Sequence, residues 1–151
     1  MDMVLTPEQL FSWAGQAASY GWLILIFLPR IKVLFFIPQY LIPLGIGLLY
    51  AGLMLAHYSN SNGGFSSLED VRMLFESDHI LLAGWVHYLA FDLFIGAWIA
   101  RKADKIGISR LLQAPILIAT YIFGPIGLVL FLFMRTVFTQ TEEHNYANQN
   151  V

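Results

Sequence analysis

The chain has 151 residues, of which 58% are apolar and only 12% charged, with a mean hydropathy of +0.64. So few charges cannot cover the surface of a water-soluble domain, so lipid is the expected solvent for most of the chain. There is no cysteine, which excludes disulfides, thiolate metal sites and cysteine nucleophiles, and a net charge of −2 without a basic run excludes nucleic acid as a partner.

Four apolar runs follow in chain order, at 10–28, 33–55, 80–100 and 111–134. At about 1.5 Å of rise per residue each nearly matches or exceeds a hydrocarbon thickness of about 30 Å. The runs are continuous rather than alternating, and a helix satisfies its own backbone groups in lipid. The expectation is a single integral membrane domain over 1–151: all-α, polytopic, with four transmembrane helices. The start, Thr6-Pro7-Glu8-Gln9, reads as a helix N-terminus rather than a signal peptide: no basic segment precedes it, and Thr6 and Gln9 match a capping box. The first span is therefore expected to be retained. Its small residues four apart, Ala14–Ala18, Gly15–Ser19 and Ala17–Gly21, predict close helix packing.

Pro38 and Pro43 in the second span, and Pro115 and Pro125 in the fourth, each remove an amide donor, so breaks in these helices are expected. Gln39 adjoins the first, and Gly124 and Gly127 surround the last, so the fourth span is expected to bend around a cavity. The connection 57–79 opens with a Ser/Asn/Gly tract. Ser66 and Glu69 then resemble a second capping box, preceding a short interfacial helix with Leu68, Val71, Leu74 and Phe75 on its apolar side. His57 and His79 at its two ends, near Glu76 and Asp78, fit no defined metal spacing, and no metal site is assigned.

Six of the eight basic residues fall in the first and third connections: Arg30, Lys32, Arg101, Lys102, Lys105 and Arg110. The positive-inside rule then places both connections in the cytoplasm and both termini outside.

The third span holds the residues with chemistry. Asp92 falls near its midpoint, where a carboxylate costs about 2.5–3.5 kcal/mol on insertion scales and must find a partner inside the bundle. His87 lies about 140° around the helix from Asp92, too far for a simple i,i+4 bond. The two residues would instead border one wide face carrying Gly84, Tyr88, Phe91, Ile95 and Trp98, an aromatic-walled slot. On the residues alone, a structural reading competes with a catalytic one: both groups would fix helix packing, with Tyr88 and Gln113 as possible partners.

Trp85-Val86-His87-Tyr88-Leu89-Ala90-Phe91-Asp92-Leu93-Phe94, followed after a basic connection by Phe123-Gly124-Pro125-Ile126-Gly127, resembles the signature of small membrane proteins related to plant neoxanthin synthase, the abscisic-acid-deficiency family. The resemblance covers about 74–135 in motif and the first half in hydropathy and length. It implies a compact helical membrane protein that modifies a carotenoid or other isoprenoid by isomerisation. In that reaction a carotenoid 5,6-epoxide opens while a vinylic proton is lost, giving an allene and a tertiary alcohol. An acid and a base suffice without a cofactor, which would make Asp92 the acid and His87 the base. Gly84, Trp85, Tyr88, Phe91, Trp98, Gln113 and Pro125 would hold the lipid-soluble substrate. The alternative is a non-catalytic protein that binds a carotenoid or membrane lipid or assists an enzyme. Transport would require oligomerisation, since one midplane carboxylate supplies little alternating-access machinery, and a homo-oligomer stays open. Without an Arg/Ser-rich transit segment, the sequence resembles a bacterial member in the cytoplasmic membrane, or an already mature form, with a plastid membrane the lesser expectation.

Overall fold

The computed structural model describes residues 5–149, with side chains to Phe138. Helix α1 (Pro7–Phe27) begins as its sequence predicts. The Thr6 hydroxyl accepts from the Gln9 amide at 3.3 Å, and the Gln9 side chain accepts from the Thr6 amide at 3.0 Å. After a short connection, α2 (Lys32–Phe36), a π-helical turn (Ile37–Leu41) and α3 (Ile42–His57) form one apolar rod. The π turn coincides with Pro38, which cannot donate: the ladder widens by one residue, and the Ile42 amide donates to the Ile37 carbonyl.

Helix α4 (Leu68–Leu74) is the expected short helix between the second and third spans. Its cap is one residue later than the expected Ser66: Ser67 accepts from the Asp70 amide at 3.0 Å, while Glu69 pairs with Arg72. Leu74 is buried and Phe75 lies against Gly84, whereas Leu68 is exposed.

Helix α5 (Asp78–Lys105) is the central element and contacts α1, α3, α6 and α7. Its inner face carries Ala83, Val86, Ala90, Leu93, Ala97 and Ala100 at helical spacing, all buried, and these small residues let neighbouring helices approach. Gly96 of α5 receives the Trp22 ring, and Gly21 of α1 receives Leu93. Ala14 and Ala18 are buried in the same helix, so Ala14, Ala18 and Gly21 mark close packing as expected, whereas Gly15 has nothing packed against it.

The fourth run departs from expectation. It is not one helix but two, α6 (Arg110–Phe123) and α7 (Pro125–Gln149), separated by Gly124. Gly124 has φ +48°, a left-handed conformation that favours glycine, and Pro125 then starts a new helix at its first position. The break reverses the chain. Gly127 lies against the backbone and hydroxyl of Thr120, which are far apart in any continuous helix. Further along α7, Phe131 meets Trp98 edge-on at 5.5 Å, and Met134 and Phe138 pack on the cluster containing Ala103 and Ile108. Helix α6 therefore climbs beside the lower half of α5 to the level of Asp92, and α7 descends again.

Among the described residues three helical segments are long and apolar enough to cross a membrane, Pro7–Phe27, Lys32–Asn60 and Asp78–Lys105, while α6 and the apolar part of α7 are shorter. The expectation of a single crossing over 111–134 is replaced by a helical hairpin, because Gly124 supplies a turn where a kink was expected. Phe138 consequently lies at the end of the bundle that holds 29–32 and 106–109, whereas Pro7 and Glu8 lie beside Asp78 at the other. The charge count predicted both termini on one face of the bundle; along the described path Pro7 and Phe138 lie at opposite ends. The termini themselves lie outside the described residues.

Candidate functional site at the hairpin apex

The hairpin apex meets α5 at Asp92. A Cβ placed on Gly124 would lie 2.6 Å from Asp92 Oδ1 and 2.7 Å from Oδ2, so any larger residue would displace the Asp92 carboxyl, and glycine also suits the φ there. Asp92 Oδ2 is buried and has no hydrogen-bond partner among the described residues. Buried polar atoms are nearly always paired, so this one has unused capacity at mid-height in the bundle.

Tyr88, one turn before Asp92, reaches the same apex. Its hydroxyl donates to the Ile122 carbonyl at 3.1 Å and lies 3.4 Å from the Tyr121 carbonyl. These carbonyls belong to the last turn of α6, where no intrahelical donor follows, and in lipid each must find another partner. Tyr88 thus closes the open end of a half-length helix, and it is also within interaction reach of Asp92. Thr120 adds a second local closure: its hydroxyl donates to the Ile116 carbonyl at 2.8 Å, and its own carbonyl accepts from the Gly124 amide at 2.8 Å. The apex therefore brings together the carbonyl end of α6, the amide end of α7, a phenol and an unpartnered carboxyl.

Of the other residues expected at the site, Trp85 packs on the Tyr88 ring at 5.5 Å and stays half exposed, and Pro125 is next to the apex. Tyr121 joins the apex to α1 through Trp22 at 5.5 Å and the Ser19 hydroxyl at 3.5 Å, a pair that sequence spacing does not indicate. His87 is elsewhere. It lies on the α3 side of α5, 5.3 Å from the Tyr50 ring and stacked on Phe91 at 4.6 Å, and it lines a recess of about 260 Å³ with Phe65, Phe75 and Gly84. Trp98 is a packing partner of Phe131. The single slot expected to hold His87, Asp92, Tyr88, Phe91 and Trp98 is therefore divided among three faces of α5: the angular separation of His87 and Asp92, read as too wide for a direct bond but compatible with one broad face, puts them against different neighbouring helices.

Gln113 is also far from Asp92. It is fully buried at the basic end of the bundle, where its carbonyl oxygen accepts from Arg30 Nη1 at 2.6 Å and its amide donates to Asp104 Oδ1 at 2.9 Å and to the Ile108 carbonyl at 2.7 Å. Arg30 Nη1 also meets Asp104 at 2.6 Å and the Ala100 carbonyl at 3.1 Å. This network ties the first connection to the ends of α5 and α6. Sequence reasoning counted Arg30 only as a topology signal and missed Asp104, because the partners are more than seventy residues apart.

His57 and His79 do come together, with ring centroids 3.9 Å apart and planes at 22°, a stack rather than a convergence on one point. Among the described residues no three potential metal ligands cluster.

No curated protein and no solved structure matches the chain. A family model does, that of the ABA DEFICIENT 4-like proteins, over residues 9–131, a stretch that runs from the first turn of α1 through the other two long helices, α6 and the hairpin apex. The chain belongs to the ABA DEFICIENT 4-like family.

Proposed function

We propose that the chain modifies a carotenoid or related isoprenoid within the membrane, with Asp92 and Tyr88 handling the protons. Family membership points to carotenoid-related chemistry. The observation that carries the site is the buried, unpartnered Asp92 Oδ2 beside a phenol at the hairpin apex. In the isomerisation of a 5,6-epoxycarotenoid, the epoxide C–O bond breaks as its oxygen gains a proton. The vinylic C–H bond breaks and its electron pair completes the allene. One of the pair donates the first proton, the other accepts the second, and transfer of a proton from the group that gained one to its neighbour resets the site between turnovers, so no external atom or electron is consumed. A rod-shaped apolar substrate reaches such a site from the bilayer, past the half-exposed Trp85 and Tyr121.

His87 is the base in the assignment from the sequence, and its place on the α3 side makes its variant the discriminator. With purified protein and a 5,6-epoxycarotenoid, conversion is followed by retention time and absorption spectrum. The apex pair predicts loss with Asp92→Asn or Tyr88→Phe and retention with His87→Ala; loss with His87→Ala restores the histidine as base. The second reading, a non-catalytic carotenoid- or lipid-binding protein, draws on the structural task of the Tyr88 hydroxyl at the end of α6. Pigment that binds and never changes its spectrum or retention time decides for that reading.

We also place the basic end of the bundle in the cytoplasm, in a bacterial cytoplasmic membrane. The hairpin carries Arg135 back to that end with α7, so seven of the eight basic residues gather there and only Arg72 lies opposite.

A further inference from the structure

At the basic end, between α2 with its π turn and the last turns of α5, lies a recess of about 500 Å³. Four cations line it, Arg30, Lys32, Arg101 and Lys105, against one carboxylate, Asp104. That carboxylate is already engaged by Arg30 and Gln113 through Oδ1. Lys32 and Lys105 have no ion-pair or hydrogen-bond partner among the described residues. Arg101 is held over the Phe35 ring at 5.7 Å, with Nη2 3.4 Å from the Tyr40 hydroxyl, so its charge is positioned rather than free to sweep through solvent.

Two mostly buried residues on the same wall have unused hydrogen-bonding capacity. Arg30 has a side chain that is nine-tenths buried and an Nε without an acceptor. Gln39, 6% exposed overall, also lines the recess and makes no side-chain hydrogen bond to a described residue. Burying the Arg30 Nε unpaired costs free energy, which an acceptor-rich guest would recover. The remaining wall is aromatic, and Phe36 and Tyr40 are half exposed where the recess opens along the rod.

We propose that this recess binds the phosphate of a phosphate-bearing lipid. Lys32, Lys105 and Arg101 would meet the phosphate oxygens, and the lipid chain would lie along Phe36 and Tyr40. Excess positive charge, several separate donors and an apolar exit match a multiply charged oxyanion on an apolar tail better than a neutral lipid. The proposal is independent of the chemistry at Asp92, which lies on another part of α5.

The test is native mass spectrometry of the detergent-purified full chain with three probes of matched acyl chains: phosphatidic acid, phosphatidylcholine and diacylglycerol. Inorganic pyrophosphate serves as competitor. Phosphatidic acid should bind one per chain, more tightly than the other two, and pyrophosphate should displace it. The double variant Lys32→Gln/Lys105→Gln should weaken binding about tenfold, the loss of charge-assisted contacts. Both side chains are unpaired, so the variant should melt like the parent. Lys102→Gln, a change at the same end but outside the recess, should leave affinity unchanged. Equal weakening by Lys102→Gln would mean diffuse charge attraction and overturn the site, as would equal binding of all three lipids. Pyrophosphate bound as tightly as phosphatidic acid would keep the phosphate site and overturn the lipid as its source.

Discussion

The hairpin apex and the basic end both place polar side chains inside an apolar bundle, and they treat them differently. At the basic end Gln113 uses its oxygen and its amide on three partners, and the Asp104 oxygen that it meets is shared with Arg30. At the apex Tyr88 is used on the carbonyls of α6, but Asp92 is left with a buried oxygen that accepts no hydrogen bond from a described residue. A satisfied network holds elements in register; an unsatisfied carboxyl in the interior costs stability and is retained where it acts on something else. The lesson is to weigh a buried polar residue by its partners rather than by its depth.

The comparison requires that the apex be a turn inside the bundle, and breaking the hairpin would break it. In this cysteine-free chain, Thr136→Cys and Lys102→Cys should label from the same side with an impermeant thiol reagent, and Ser61→Cys from the opposite side. A straight fourth crossing would put Thr136 with Ser61. Next in size is Gly124→Ala. It forces a side chain into a left-handed φ and against the Asp92 carboxyl, for a loss of about 3 kcal/mol, read as a lowered melting temperature in detergent.

Gln113→Leu sharpens the other half of the comparison. It should cost about 2 kcal/mol by leaving the Ile108 carbonyl and the Arg30–Asp104 pair short of partners, with any conversion by the folded fraction intact. Tyr88→Phe should destabilise by about 1 kcal/mol, the worth of one hydrogen bond at the end of α6, while abolishing conversion.

Much of this architecture is legible in the sequence because it depends on local chemistry. The Thr6–Gln9 box, the long apolar runs, the break at Gly124-Pro125 and the polar pair on the third run all follow from residue type and spacing. The angle between His87 and Asp92 is legible too, and it argued against a direct pair. What hydropathy cannot carry is direction: two half-length helices folded back on each other contain the same apolar residues as one crossing. The signal for reversal was Gly127, three residues beyond Gly124, where only a missing side chain lets α7 touch Thr120. That choice also moved Arg135 to the other face of the charge count. The Arg30–Asp104–Gln113 network was hidden for a different reason, since it joins three distant segments and no local pattern announces it.

The central claim, that Asp92 is kept for chemistry and not for architecture, is tested most directly by melting temperature and epoxycarotenoid conversion measured on the same preparation of Asp92→Asn. Asn keeps the shape of the side chain but cannot donate a carboxylic proton or accept one as a carboxylate. The account predicts a protein that melts at or above the parent temperature, since no hydrogen bond to Oδ2 is lost, and that converts nothing. A variant that converts at the parent rate, or that unfolds as readily as Gln113→Leu, would contradict it.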